Sequence, residues 1–134
     1  MKEFSLQIVT PDKTVPIDKA ISLLIRTTTG DVEILAGHTD LLAALGTGRA
    51  RIRTTDGKDI YASVSGGFLS VSGGVVRVAA TTFELASELD LARAQSAKEK
   101  AELAIKSAKS GAEIDLAKAK LARALTRINV KNMK

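Results

Sequence analysis

Five charged side chains in the second half of the sequence have the chemistry to bind a nucleotide. They are Glu84, Asp90, Arg93, Arg123 and Arg127. Guanidinium groups bind phosphate oxygens through two parallel hydrogen bonds, so the three arginines are candidate phosphate ligands. The two carboxylates are acceptors for the amino group of a base. These residue types indicate a candidate nucleotide site that does not use a glycine-rich loop.

The basic residues near the C-terminus follow helical spacing. They are Lys120, Arg123, Arg127, Lys131 and Lys134, at steps of 3, 4, 4 and 3. Such steps place all five on one helix face. Residues 88–134 hold eleven basic and six acidic side chains, which accounts for the whole net charge of +5. A basic stripe is either a solvated face or an anion-binding face, and the sequence leaves the two interpretations level.

Residues for catalysis or metal binding are scarce. The sequence has no cysteine and one histidine, His38. Its ten glycines do not form a phosphate loop that ends in Gly-Lys-Ser/Thr. We therefore predict no catalytic residue, no metal site and no enzymatic activity.

The elements that position these residues change near Ser87. Before it, alternating apolar residues predict short strands, and Asp56-Gly57 predicts a hairpin turn. The predicted strands centre on Phe4–Ile8, Ile21–Ile25, Ala50–Thr54, Ile60–Val64, Phe68–Val71 and Val75–Val78. Many short strands at close spacing indicate a sandwich or a barrel.

After Ser87 two apolar stripes have helical period. One contains Ala94, Ala97, Ala101, Ala104 and Ala108, and the other contains Ile114, Ala117, Leu121, Ala124 and Ile128. Gly111 is predicted to end the first helix, and the short connection makes the helices antiparallel. Alanine buries little apolar area, about 0.8 kcal/mol per methyl group, so the hairpin is expected to be weakly held. Periodicity alone nevertheless favours an appendage that does not move.

The start of the first helix carries a second signal. Asp90 is predicted to be its N-cap. An antiparallel hairpin brings Arg93 towards Arg123 and Arg127. With no comparable acidic cluster nearby, the three cations are expected to repel one another unless an anion joins them.

Two segments resemble the epsilon subunits of F-type ATP synthases, in particular bacterial, Bacillus-like ones. Gly30–His38 is similar to the family's Gly-Asp-Ile-Gly-Ile-Leu-Pro-x-His stretch, with Glu33 in place of the usual glycine and Ala36 in place of the proline. Gly66–Val71 is similar to its Gly-Gly-Phe-x-x-Val strand. The order of a β domain followed by an alanine-rich hairpin agrees along the whole chain.

The resemblance implies an α+β chain. A β-sandwich of about ten strands over residues 1–87 is expected to dock on the rotor, and an antiparallel helical hairpin over residues 88–134 is expected to regulate. The implied function is that of a non-catalytic central-stalk subunit that couples the rotor to proton-driven ATP synthesis. The implied partners are the gamma subunit, the membrane c-ring and, when the hairpin extends, the alpha/beta catalytic head. The expected location is the cytoplasmic face of the cell membrane, without insertion.

The resemblance also implies a regulatory ligand. Leu89–Ala94 matches the Ile/Leu-Asp-x-x-Arg-Ala motif with which some bacterial members bind ATP and hold the hairpin down. The implied ATP-binding positions are Glu84, Leu89, Asp90, Arg93, Ala94, Lys100, Arg123 and Arg127. Lys100 stands where a Bacillus-type relative has arginine. No cofactor is required, and ATP, with or without magnesium, is the regulatory ligand. The inhibitory contact is assigned to Lys120, Arg123, Arg127 and Lys131.

Two other functions compete with a regulatory rotor subunit. One is a nucleic-acid-binding module, and the other is a structural adaptor without regulation. The four aromatic residues, Phe4, Tyr61, Phe68 and Phe83, all precede the hairpin, so its basic face has no stacking platform for bases. Phosphate contacts alone remain open. We adopt the regulatory rotor subunit and expect no nucleic-acid partner.

Overall fold

The computed structural model describes residues 2–133 as a β domain followed by two α-helices. The strands are β1 (Phe4–Val9), β2 (Thr14–Val15), β3 (Lys19–Ala20), β4 (Ser22–Thr27), β5 (Gly30–Ile34), β6 (Leu41–Arg53), β7 (Asp59–Ser72) and β8 (Val75–Leu85). A single 3-10 turn, Ala86–Glu88, leads to the helices α1 (Leu91–Ser107) and α2 (Gly111–Asn132). The predicted α+β class is confirmed.

The strands form one hydrogen-bonded sheet that encloses a single core. Its order is β2-β1-β8-β7-β6-β4-β5, and β3 also pairs with β1. The β1–β8 pair is parallel and the others are antiparallel. Every strand contributes at least one buried apolar side chain to the same cluster, so the sheet folds over its own inner face as a sandwich. The β1–β8 pairing brings the start of the β domain beside its end.

The described residues contain eight strands, fewer than the ten that the resemblance implied. One reason lies in β7, which joins the predicted strands Ile60–Val64 and Phe68–Val71. Gly66 and Gly67 have φ values of +69° and +100° and bend β7 without ending its pairing with β8. A Cβ at Gly67 would collide with the carbonyl oxygen of Ala79, so only glycine fits this approach.

The hairpin lies against the β domain. Helix α1 packs along α2, and α2 packs against β6 and β7. At the end of α2, the Arg49 guanidinium lies 3.9 Å from the sulfur of Met133. No helix within residues 2–133 is both long and apolar enough to cross a membrane.

The prediction that Gly111 ends the first helix is wrong, because Gly111 is the first residue of α2. The N-cap is Ser110, whose side chain accepts a hydrogen bond from the Glu113 N–H at 3.2 Å. The Glu113 carboxylate in turn accepts from the Lys109 N–H at 2.8 Å. A serine followed three residues later by glutamate is a helix-start signal, and it outweighs the glycine here.

Small side chains form most of the seam of the hairpin. The buried members are Ala94 and Ala101 on α1 and Ala117 and Ala124 on α2. Ala104, which belongs to the predicted stripe, is exposed. Larger apolar residues such as Leu103, Leu116 and Leu125 point to solvent. The helices therefore approach closely but bury little apolar area.

We expect Ala124→Leu to destabilise the hairpin. Ala124 is fully buried, so the larger side chain overpacks the seam at a cost of about 1–3 kcal/mol. The matched control is Ala122→Leu, on the exposed face of the same helix. Urea unfolding followed by circular dichroism measures both. Equal stability of the two variants would show that the seam has room for a larger side chain.

Candidate functional site

A cavity of about 260 Å³ lies where the β domain meets the hairpin. Its lining residues are Glu84, Glu88, Leu89, Asp90, Arg93, Ala94, Ala97 and Arg127. They come from the end of β8, the 3-10 turn, the first turns of α1 and the second half of α2. The cavity therefore takes this shape only when the hairpin lies against the β domain.

Asp90 fixes the start of α1 and with it the position of Arg93. The Asp90 carboxylate accepts a hydrogen bond from the Arg93 N–H at 3.2 Å, as expected of an N-cap. Leu89, just before the cap, is buried, and Ala94 lies in the helix seam. The motif residues are thus held by the helix start, while the Arg93 side chain is exposed at the cavity.

Two cations of α2, one turn apart, bind the end of β8 and the 3-10 turn that follows it. The Nε of Arg127 donates to Glu84 Oε1 at 2.8 Å, and both side chains are partly buried. The Nζ of Lys131 donates to the carbonyl oxygen of Ala86 at 3.1 Å. These contacts tie the end of the hairpin to the point where it leaves the β domain.

A third tie reaches the same segment from the β domain. Lys13 Nζ lies 2.6 Å from Glu88 Oε2, and Glu88 Oε1 accepts from the Leu85 N–H at 3.2 Å. The hydrogen bond from Lys13, helped by that from the Leu85 N–H, lowers the pKa of Glu88 against the opposing effect of desolvation. Glu88 and Lys13 were absent from the sequence prediction. Glu88 stands three residues after Leu85, a capping spacing, whereas Lys13 carries no local signal.

The charge balance of the cavity differs from expectation. Three carboxylates, Glu84, Glu88 and Asp90, line it together with two guanidiniums, Arg93 and Arg127. The expectation of clustered arginines without a comparable acidic group is therefore wrong. Glu84, at the end of β8, supplies Arg127 with a partner, so the arginines need no anion to coexist.

Six of the eight predicted ATP-binding positions share this cavity: Glu84, Leu89, Asp90, Arg93, Ala94 and Arg127. Arg123 does not line it, although it lies one turn before Arg127 on α2 and is partly buried. Lys100 is exposed about two turns along α1 from Arg93. Within residues 2–133, neither Arg123 nor Lys100 forms a salt bridge.

The structure divides the basic stripe of α2. Lys120 is exposed and Arg123 is partly buried. Arg127 binds the end of β8 and Lys131 binds the 3-10 turn that follows it. Lys134 lies outside the described residues. The stripe is therefore not one continuous open surface in this arrangement.

The cavity contains two cations that could bind an anion. Arg93 has no carboxylate partner in the described part of the chain. Arg127 is paired with Glu84 and becomes available only if that ion pair breaks. The carboxylates supply acceptors. Across residues 2–133, no group of three or more His, Asp or Glu side chains is arranged to hold a metal ion.

Comparison with known proteins covers both parts of the chain. Residues 3–86 match the family model described as ATP synthase, Delta/Epsilon chain, beta-sandwich domain. Residues 87–132 match the model described as ATP synthase, Delta/Epsilon chain, long alpha-helix domain. The two models together account for nearly the whole chain.

Relatives with similar sequences and solved structures with a similar fold also come from ATP synthases. The ATP synthase epsilon chain of Bacillus cytotoxicus is 35% identical over 100% of both chains, and that of Lawsonia intracellularis is 39% identical over 96% of each. A chain of the Euglena gracilis mitochondrial ATP synthase has a TM-score of 0.83 at 24% identity, with 92% of this chain and 78% of that chain covered. A chain of the Tetrahymena thermophila enzyme has a TM-score of 0.68 at 16% identity, with 96% of each covered. The chain therefore belongs to the family of ATP synthase epsilon chains, which are non-catalytic subunits of F-type ATP synthases.

Proposed function

We propose that the chain is a rotor subunit of the central stalk, that it joins the rotor to the membrane ring, and that its hairpin restrains ATP hydrolysis. The similar Tetrahymena structure is one of a central stalk and c-ring, and the Euglena structure also contains a c-ring. The subunit then works at the cytoplasmic face of the cell membrane as part of the assembled enzyme.

The β domain is the docking platform in this proposal. Leu42 on β6 and Phe68 on β7 are 73% and 58% exposed, and they are diagonal neighbours on paired strands. Neighbouring exposed apolar side chains of this size are typical of a surface that a partner covers. The gamma subunit and the c-ring are the partners that we assign to this domain.

The observation that carries the regulatory proposal is the cavity itself. Its walls come from β8, α1 and α2, so a ligand bound there would contact all three and favour the docked hairpin. ATP fits the available chemistry: phosphates at Arg93 and Arg127, and the base amino group at Asp90 and Glu84. To bind the phosphates, Arg127 must release Glu84, and the Arg123 side chain must rotate into the cavity to supply a further cation.

The volume and charge of the cavity set conditions on that ligand. About 260 Å³ is slightly below the range of about 300–1,000 Å³ usual for small-molecule sites, so part of the nucleotide stays in solvent or the cavity widens. Magnesium carried with the nucleotide would offset the three carboxylates. Lys100 lies outside the cavity, about two turns along α1 from Arg93. It would contact the nucleotide only if the phosphate chain were extended towards it or α1 shifted.

Inhibition requires the other arrangement of the hairpin. Arg127 and Lys131 are engaged inside the chain when the hairpin is docked. Extension frees them, and together with Lys120 and Arg123 they then face acidic surfaces of the alpha/beta catalytic head. While the hairpin is docked, the same engagement leaves only an interrupted basic stripe for a nucleic acid to contact.

We expect Arg93→Ala to lower the ATP affinity of the isolated chain by at least about tenfold. Removal of a charge-assisted hydrogen bond costs about 1.5–3 kcal/mol. Arg93 has no salt bridge within residues 2–133, so its loss breaks none of the ties that dock the hairpin. Titration calorimetry measures the affinity, and Lys118→Ala, an exposed lysine of α2, is the control. Equal affinity of Arg93→Ala and the unchanged chain would contradict the site.

We expect the double charge reversal Arg123→Glu and Arg127→Glu to abolish inhibition of the catalytic head. Like charges then face the acidic surface and repel it. ATP hydrolysis by the matching head is the measurement, and a chain ending at Glu88 gives the uninhibited reference. Lys106→Glu with Lys109→Glu, the same charge change at the other end of the hairpin, is the matched control. Inhibition that survives reversal at 123 and 127 would exclude these residues as the contact.

A further inference from the structure

The 3-10 turn Ala86–Glu88, here called the linker turn, is held from both sides. From α2, Lys131 binds the Ala86 carbonyl and Arg127 binds Glu84 just before the turn. From the β domain, Lys13 binds Glu88 at 2.6 Å. The linker turn has only three residues, so each of these contacts restrains the angle at which the hairpin leaves the sandwich.

Hydrogen bonds hold the Lys13 backbone in a fixed place on the β domain. It lies in the turn between β1 and β2, where the Thr10 N–H donates to the Lys13 carbonyl oxygen at 2.9 Å. The Lys13 N–H donates in return to the Thr10 hydroxyl at 3.3 Å. Both flanking strands belong to the sheet. Lys13 therefore moves with the β domain, and its bond to Glu88 joins two parts of the chain that are 75 positions apart.

A second cavity, of about 380 Å³, lies on the Lys13 side of the linker turn. It shares Glu84, Glu88 and Arg127 with the first cavity and adds Lys13. These three shared side chains form the wall between the two spaces. Lys13 holds Glu88 in that wall, and its charge offsets one of the three carboxylates that surround the candidate anion site.

We propose that Lys13 is a positioning residue for the nucleotide cavity: through Glu88 it fixes the linker turn, and so keeps the Leu89–Ala94 motif and the hairpin in the docked arrangement. The effect on the ligand rests on the proposed function. The effect on the hairpin does not, because the contact is present without any ligand. Without Lys13, Glu88 is free to turn towards Arg93 and compete with phosphate.

The test uses the full chain with five changes: Lys13→Ala, Lys13→Glu, Lys13→Arg, Glu88→Lys and the exchange Lys13→Glu with Glu88→Lys. Since the chain has no cysteine, Thr55→Cys and Lys109→Cys give unique exposed sites for spin labels on the β domain and the hairpin. The distance distribution is measured without nucleotide, and ATP affinity is measured separately. Lys19→Ala, which removes an exposed pair with Glu3, is the matched control.

We expect Lys13→Ala to broaden the label distance and to weaken ATP binding by up to about fivefold, as suits an exposed ion pair. Lys13→Glu should broaden the distance distribution and weaken ATP binding further. Lys13→Arg should keep both close to those of the unchanged chain, and the exchange should recover them in part or in full. Unchanged distances in Lys13→Ala overturn the proposal. Because Glu88→Lys also removes the acceptor of the Leu85 N–H, the exchange is compared with Glu88→Lys alone, and a distance distribution no narrower than that of the single variant also overturns the proposal. If the unchanged chain binds no ATP but Lys13→Ala broadens the distance, the nucleotide function fails while the positioning role stands.

Discussion

The ion pair between Arg127 and Glu84 ties the docked hairpin to the β domain. It joins α2 to the last residues of β8 at 2.8 Å, with both side chains partly buried. The seam between the helices consists mainly of alanine methyl groups, which contribute little hydrophobic stabilisation each. A few polar ties at the linker turn therefore have a large influence on where the hairpin lies.

Under the proposed function, a ligand in the cavity would shift the hairpin towards the docked arrangement. A ligand shifts an equilibrium between two arrangements only by the difference in its affinity for them. The cavity takes walls from β8, α1 and α2, so an extended hairpin keeps only part of it. An anion that replaces Glu84 at Arg127 would join α2 to α1 through Arg93, and the base amino group at Glu84 would supply the contact with β8. Under the proposed function, these contacts would give ATP a higher affinity for the docked hairpin than for the extended one.

Local sequence signals predicted much of the fold and of the site. The period of the apolar residues located both helices, and Asp90 was identified as the N-cap because an N-cap bonds to its neighbours in sequence. Features that arise from packing were missed. The glycines of β7 bend a strand instead of ending it, and the Ser110–Glu113 cap overrode Gly111. The Lys13–Glu88 pair has no local signal, since only the β1–β8 pairing brings residue 13 to the linker turn.

In the proposed function, the hairpin must leave the β domain in order to restrain hydrolysis. The most direct test locks it in place with a cleavable cross-linker between cysteines at positions 49 and 133, where the Arg49 and Met133 side chains are in contact. ATP hydrolysis by the matching catalytic head is then measured with the locked chain and again after the linker is cleaved. We expect unrestrained hydrolysis with the locked chain and inhibition after the cross-linker is cleaved. Full inhibition by the locked chain would contradict the proposed function.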